Sequence, residues 1–488
     1  MSEDAKRPNV LLICTDHLSE LCTRPGGHPT VITPTLDQLA RTGTRFSRAY
    51  SACPSCIPAR RSLMTGQRAR EHGDRVYRDG QPLPDVPTMA QCFRDAGYQA
   101  YAVGKLHVTP QRDRVGFDDV ILEEQGRRIP GVIPDGMADD WELYLQDQGC
   151  AGQEYASGMC HNDFQARPWH LDEQHHAINW AAREMCRMIR RRDPRKPGFW
   201  YLSFSAPHPP LTPLQDYLDL YDDADIDLPV HGTWIDSLDD VPFELQARAR
   251  RSAMNGASER EVRLARKAYY ATITHIDHQI RLVLGYLREA GLIDNTIIVF
   301  TSDHGHMVGD HRMWLMTPFY EMSSHIPLII VPAKDDPRHV VGRVDDRFAE
   351  FGDIMPTLLD LAGLPIPAHV TQRSLFSDDR RDYIYGEHGE NEIAQRMIRE
   401  GDYKLIYYPV GNQSQLFNVA EDPRELYDLA GDPAHVETLA GLQALLLENL
   451  YGSDESWLKD GELVGLPSRE YEPRDERTLL GQRGLRYL

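Results

Sequence analysis

Residues 9–17 read Asn-Val-Leu-Leu-Ile-Cys-Thr-Asp-His, an unbroken apolar run from Asn9 to Cys14 that ends on a hydroxyl, a carboxylate and an imidazole. A short segment that is apolar at every position, rather than at alternate ones, suits a strand buried on both faces, as in a parallel sheet covered by helices. The same texture returns at Tyr98–Val103, Phe199–Phe204, Thr296–Phe300 and Ile326–Val331. Between these runs lie helical patterns with matching ends. Thr33-Pro34 opens a segment through Leu36, Leu39 and Ala40 that stops at Gly43, and longer patterns cover Lys267–Ala290 and Phe351–Ala362. Strands alternating with helices predict an α/β sandwich with a large, mostly parallel central sheet.

In such sheets ligands sit beyond the carboxyl ends of the strands. Four of the predicted strands release polar residues there: Thr15-Asp16-His17, Gly104-Lys105-Leu106-His107, Pro207-His208-Pro209 and Ser302-Asp303-His304-Gly305. Taken singly, Asp16 or Asp303 reads as a helix cap, and His107 or His208 as a loop histidine. Chance explains one such strand end better than four on one rim. Two aspartates with adjacent histidines would make a divalent-cation site, the carboxylates bringing charge and the imidazoles neutral nitrogen ligands.

The segment Ser51–Gln67, SACPSCIPARRSLMTGQ, carries the sharpest chemistry. Pro58 can open a helix, placing Cys56 just ahead of its positive end, where an anionic nucleophile and an anionic substrate are both stabilised. Cys53-Pro54-Ser55-Cys56 also reads as a redox or zinc pair, but a single C-x-x-C with no second pair is a weak zinc signal, and no thioredoxin-like pattern surrounds it.

The chain has 488 residues, 41% hydrophobic and 26% charged, a composition that predicts a globular protein with one large core and a smaller appendage. We expect a catalytic α/β unit over 1–380, with 112–167 inserted near the pocket. From about Asp382 the spacing shortens through Tyr383–Tyr385, Tyr403–Tyr408, a Gly411-Asn412 turn and Leu416-Phe417, predicting a small antiparallel sheet over 381–460, with Thr438–Leu450 as a helix packed on it. Residues 461–488 read as an extended, charged tail that weakly favours a homo-oligomer. With 53 basic and 74 acidic side chains the net charge is −21, which argues against nucleic acid or an anionic membrane as general partners. The eight cysteines lack the spacing of a disulfide framework, and the opening MSEDAKRPNV lacks an apolar leader, so a cytoplasmic protein is expected.

Cys56-Ile57-Pro58-Ala59-Arg60, followed by Ser62-Leu63-Met64-Thr65-Gly66, resembles the signature of the type I, formylglycine-dependent sulfatases of the alkaline phosphatase superfamily. The likeness runs along most of the chain, through RPNVLLICTDH, TPTLDQLARTGTRFSRAY, GYQAYAVGKLHV, APHPP, DNTIIVFTSDHGHMVGDH, DIMPTLLDLAG and LYDLAGDP. It implies an alkaline phosphatase-like sandwich and a sulfuric ester hydrolase. By the same likeness Cys56 is oxidised to formylglycine by a formylglycine-generating enzyme, whereas Cys53, lacking Pro and Arg at the right offsets, is not. Asp16, His17, Cys56, Asp303 and His304 then hold one divalent ion, calcium first with manganese or magnesium as alternatives. Arg60 orients the formylglycine, and Lys105, His107 and His208 surround a small anionic ester and handle protons. The hydrated aldehyde has two hydroxyls on one carbon: one attacks sulfur while His208 or Lys105 protonates the leaving alcohol, and loss of the second proton to a base such as His107 expels sulfate.

Two positions depart from the family pattern. His17 stands where a second Asp or a Gln is common, which leaves its ligand role open. Met316 stands where a lysine is usual in Trp314–Glu321, so that Arg312, His306 or His311 would have to compensate, or the anion is held differently. His304 also appears in phosphonate monoester and phosphodiester hydrolases of the superfamily, which keeps a phosphoryl substrate as an alternative. A noncatalytic anion-binding homologue is the third reading, opposed by the intact Cys56, Pro58 and Arg60. Trp169, Arg167, His175 and His176, near the insertion, and Glu387 and His388, in the small sheet, are further candidates that their residue types alone do not promote above packing groups.

Overall fold

A computed structural model describes residues 7–125, 137–159, 161–252, 254 and 256–472. Cys160, part of the 112–167 stretch and the tail beyond 472 lie outside the described residues. Eight strands form the central sheet: β1 (Asn9–Asp16), β2 (Thr44–Tyr50), β3 (Gln99–Gly104), β4 (Asp119–Leu122), β5 (Gly198–Pro207), β6 (Thr296–Ser302), β7 (Leu328–Val331) and β8 (Arg343–Glu350). Their order is β4-β3-β5-β1-β6-β7-β2-β8. All pairings are parallel except those of β7, which runs antiparallel to both β6 and β2.

The apolar run of β1 works as expected. Leu11 and Ile13 enter the core on one face of the sheet, and Val10, Leu12 and Cys14 the core on the other. The long helix Glu259–Glu289 packs on the first face beside the helix Ala177–Arg190. It is opened by a capping box between Ser258 and Glu261. On the second face lie α2 (Cys56–Thr65) and the helix Ile354–Leu361. α1, Pro34–Thr42, ends at Gly43 as its pattern predicted.

Three strands of the central sheet were not predicted. β2 interleaves Arg45, Ser47 and Arg48 with apolar residues, and β8 carries Arg343, Asp345 and Asp346, so neither reads as a continuous apolar run. β4 lies within the 112–167 stretch, part of which therefore forms the edge of the central sheet.

The small sheet is fully antiparallel, in the order β12-β11-β10-β9, from β9 (Tyr383–His388), β10 (Gln395–Glu400), β11 (Tyr403–Tyr408) and β12 (Gln413–Asn418). One face buries Ile398, Leu405 and Leu416 beneath Leu442 and Leu446 of the helix Val436–Asn449. The other presents Ile384, Met397, Ile406 and Phe417 to the main core. Two-sided burial of alternate residues thus ties this sheet to the main body. Among the described residues no helix is long and apolar enough to cross a membrane.

Candidate active site

β1 delivers Asp16 and His17, β6 leads into Asp303 and His304, and α2 brings Cys56 in its first turn, with Ser55 at the N-cap. The helix begins at Cys56 rather than at Pro58, so the thiol sits within the positive end and not ahead of it. Ligating atoms of Asp16, His17, Cys56 and His304 lie within 4.8 Å of one another, and all four residues are buried. Cys56 Sγ is 3.1 Å from His304 Nε2 and 3.6 Å from Asp16 Oδ1. His304 Nδ1 lies 3.0 Å from the Gly305 carbonyl, a contact that takes the ring proton and turns the lone pair of Nε2 toward the cluster.

His17 has a left-handed backbone, φ 72°. Its carbonyl accepts from Tyr269 and its N–H donates to Asp303 Oδ1 at 3.4 Å, while neither ring nitrogen has a hydrogen-bond partner and Nε2 lies 3.7 Å from Asp16 Oδ1. Burial, and then the neighbouring imidazoles of His208 and His304, hold its pKa well below the ordinary range, so it is a neutral ring with a lone pair to offer. A carboxylate, two imidazoles and a sulfur position converging in a buried pocket fit a divalent cation.

Asp303 is adjacent but differently engaged. Its Oδ2 accepts from Arg60 Nε at 2.9 Å, and its Oδ1 from the His304 N–H, also at 2.9 Å. Arg60, 2% exposed, donates through Nη1 to the Lys105 carbonyl, Ser203 Oγ and Tyr201 Oη; its Nη2 has no partner. Tyr201 and Ser203 are part of the site that the sequence reading missed, because both sit inside an apolar strand.

Lys105 forms an ion pair with Asp16 Oδ2. Burial alone would lower the lysine pKa, but the Asp16 carboxylate outweighs it and raises it. The same contact overcomes the upward push of burial on Asp16, whose pKa falls well below its usual range. The turn carrying Lys105 and His107 is pinned from below: Glu124 Oε1 accepts from the backbone N–H of Leu106 at 3.1 Å and of His107 at 2.7 Å. Gly104, at φ 101°, leaves β3 so close to β5 that a Cβ would stand 1.8 Å from the Ser203 carbonyl oxygen. His107 Nε2 meets Tyr77 Oη at 3.3 Å.

The His208 ring centroid is 4.4 Å from that of His17, and its Nδ1 contacts the Pro209 carbonyl. Burial lowers its pKa to about 4. A cavity of about 40 Å³ beside it is lined by Trp169 and His176 among others, whereas Arg167 is tied to the Ser157 carbonyl and His175 to Tyr144.

Of the residues named as substitutes for the missing lysine, only His306 joins the cluster: its ring lies 5.1 Å from His17 and 4.4 Å from Trp314. His311 accepts from the Gly232 N–H and packs on Trp234, and Arg312 lines a separate cavity with Pro229, His231 and Met254, so those two face elsewhere. Met316 lines a cleft of about 890 Å³ with Trp314, Thr317, Phe243 and Arg248.

Residues 8–364 match the Sulfatase family model, and residues 309–451 that of the N-sulphoglucosamine sulphohydrolase C-terminal region. An arylsulfatase from Clostridium perfringens is 34% identical over 471 residues, covering 94% of this chain and 97% of that protein. A choline-sulfatase from Rhizobium meliloti is 28% identical, covering 86% of this chain and 81% of that one. Among solved structures, a phosphonate monoester hydrolase from Silicibacter pomeroyi superposes with a TM-score of 0.76 at 26% identity, over 91% of this chain and 95% of its own. With the signature at Cys56 lodged against Asp16 and His304, and the likeness spanning nearly the whole chain, the protein belongs to the sulfatase family.

Proposed function

We propose that the protein hydrolyses a sulfate ester through a formylglycine formed from Cys56, with one divalent ion held by Asp16, His17, Cys56, Asp303 and His304. The observation that carries this is the position of Cys56: at the positive end of α2, touching two metal-donor side chains. Burial, followed by Asp16, pushes the thiol pKa well above its ordinary range, so an unmodified Cys56 would be neutral and a poor nucleophile at physiological pH. Burial raises Cys53 in the same way, which opposes the redox-pair reading. Oxidation and hydration at Cys56 would supply a geminal diol, and the ion, calcium in this proposal, would supply charge stabilisation for the sulfate oxygens.

The surrounding side chains have matching tasks. Arg60, locked by Asp303, Tyr201 and Ser203, offers its free Nη2 donor toward the modified side chain. Lys105 keeps its proton beside Asp16 and clamps the anion once substrate enters. The negative charge of the bound ester would lift the depressed pKa of His208 so that it, or else Lys105, protonates the leaving alkoxide, and His107, oriented by Tyr77 and by its pinned backbone, receives a proton. Maturation would need a formylglycine-generating enzyme. The described cysteines are all free, which supports a reducing compartment such as the cytoplasm. A homo-oligomer built through the tail also belongs to this proposal.

A phosphonate monoester is the second reading, favoured by Met316 in place of a lysine and by the likeness to the Silicibacter enzyme. Turnover of an aryl sulfate and an aryl phosphonate by protein made with the maturation enzyme separates the two. Brisk phosphonate cleavage beside negligible sulfate cleavage reverses the preference, and activity from a preparation whose residue 56 is an unmodified thiol sinks both.

A further inference from the structure

The cleft of about 890 Å³ that contains Met316 has three walls from the body of the protein and a fourth from the segment near its C-terminus. The first wall is residues 314–317. There the Leu315 carbonyl accepts from the N–H of Met307, on the loop that carries His304 and His306, at 2.7 Å, and the Trp314 ring lies 4.4 Å from that of His306. Leu315 and Thr317, on either side of Met316, have φ of 68° and 95°. A β-branched residue resists such a backbone, and strain of this kind persists where the surroundings fix it, commonly beside a binding site. The second wall is the helix Phe243–Arg251, through Phe243, Ala247 and Arg248, and the third is the connection between β9 and β10, through Glu392 and Ile393.

Residues 469–472 line the same cleft and bridge its second and third walls. Arg469 pairs with Glu392 and sets its guanidinium 5.9 Å from the centre of the Phe243 ring. The Tyr471 ring is 6.3 Å from that of Phe243 and receives the Arg250 guanidinium at 5.8 Å. Leu466 is the last residue tied through its backbone, donating to the Pro409 carbonyl and accepting from Gly411; among the described residues, 467–472 make no backbone hydrogen bond. Side chains alone therefore hold this segment, and the Arg469–Glu392 pair is about half exposed. Exposed pairs are weak and screened by salt, so the segment can lift to admit a ligand and then settle on it.

We propose that residues 469–472 are a strap that closes over the organic half of the ester, with Tyr471 as the residue that discriminates extended from compact esters. The proposal rests on the ester-cleaving reading of the Cys56 cluster. The cations of the cleft are neutralised by its own acids, Arg248 by Glu244 and Arg469 by Glu392, and Glu470 and Glu472 add negative charge. What remains to meet a ligand is the apolar surface of Phe243, Trp314, Leu315, Met316, Ile393 and Tyr471. Cys56 and His208 do not line this cleft, so a compact ester held between them stays short of the strap. An extended apolar body reaches it and buries area against the Tyr471 ring.

The test uses the full chain, matured at Cys56, with 4-nitrophenyl sulfate as the compact ester and 4′-nitrobiphenyl-4-yl sulfate as the extended one. In Tyr471→Ala the ratio of kcat/KM for the extended ester to that for the compact ester should fall about fivefold, the size of one lost aromatic contact, mainly through KM. Tyr471→Phe, which keeps the ring, should hold the ratio within about twofold of wild type. Tyr427→Ala, at an exposed tyrosine outside the cleft, should leave the ratio as it is. The melting temperature and the turnover of the compact ester should be unchanged in all three, since neither tyrosine belongs to a hydrophobic core. A ratio unchanged within about twofold in Tyr471→Ala, or an equal loss on both esters, overturns the proposal. So does a wild type that cleaves the compact ester and ignores the extended one. A wild type with formylglycine at residue 56 that cleaves neither ester overturns the sulfuric-ester reading beneath it.

Discussion

Removing the Glu124 carboxylate should disable the site without touching any residue proposed to meet substrate. Glu124 Oε1 is the acceptor for the backbone N–H groups of Leu106 and His107, and the Glu124 N–H is itself held by Asp139 Oδ2 at 2.8 Å. His107 has φ 59°, a conformation that side chains other than glycine resist, so the turn depends on these bonds to hold its shape. Glu124→Ala leaves two buried donors without an acceptor, at about 1–3 kcal/mol each. Allowing for water entering the space, we expect roughly 2–4 kcal/mol of lost stability. A relaxed turn would also displace Lys105 and His107, and a shift on the order of 1 Å in such groups costs about 10²-fold in rate. Glu124→Gln keeps a carbonyl oxygen for both donors and should stay within about threefold of wild type, since it loses only the charge assistance. Urea unfolding together with kcat and KM for an aryl sulfate measures both effects. If Glu124→Ala keeps wild-type kcat/KM and an unchanged unfolding midpoint, the turn is not held by Glu124.

Cys56→Ala should abolish turnover and leave the melting temperature close to wild type, because the thiol contributes little packing beyond its Cβ; residual wild-type activity removes the nucleophile assignment. His208→Ala should lose more rate on alkyl esters than on activated aryl esters, as only a basic alkoxide needs a proton; equal losses would mean that His208 binds rather than protonates. Chelation should lower activity, with recovery on adding calcium, and full activity after exhaustive chelation would remove the metal proposal. Acidification should destabilise the fold. Burial lowers the pKa of His72 to about 3 and those of His176 and His311 to about 4. A histidine whose folded pKa is depressed contributes stability above its unfolded pKa of about 6.5 and loses it as pH falls toward the folded value, here about 1.4 kcal/mol per group at about pH 5.5. The urea midpoint should therefore drop between about pH 7.5 and 5.5, and equal midpoints would contradict the neutral burial of these rings.

Much of the architecture was legible because burial leaves a local periodic record. β1, β3, β5 and β6 are apolar at nearly every position since both faces are covered, and α1 is bracketed by Pro34 and Gly43. The same logic hid β2 and β8, whose apolar runs are broken by charged residues that are ion-paired or, at Asp346, exposed: Arg45 meets Glu20, and Asp345 meets Arg343 and Arg347. Strand direction has no such record, and so the reversal of β7 was invisible.

The sequence by itself determined that chemistry-bearing residues leave the carboxyl ends of neighbouring strands, since strand periodicity and short motifs are local properties of the chain. Only the tertiary structure decided which of those groups meet. It set Arg60 against Asp303 across 243 residues, and drew His306 to the cluster while turning His311 and Arg312 away. Such meetings depend on register, on the left-handed turns at His17 and His107, and on the docking of the small sheet, all of which come from packing between segments distant in sequence and leave no mark within any one of them.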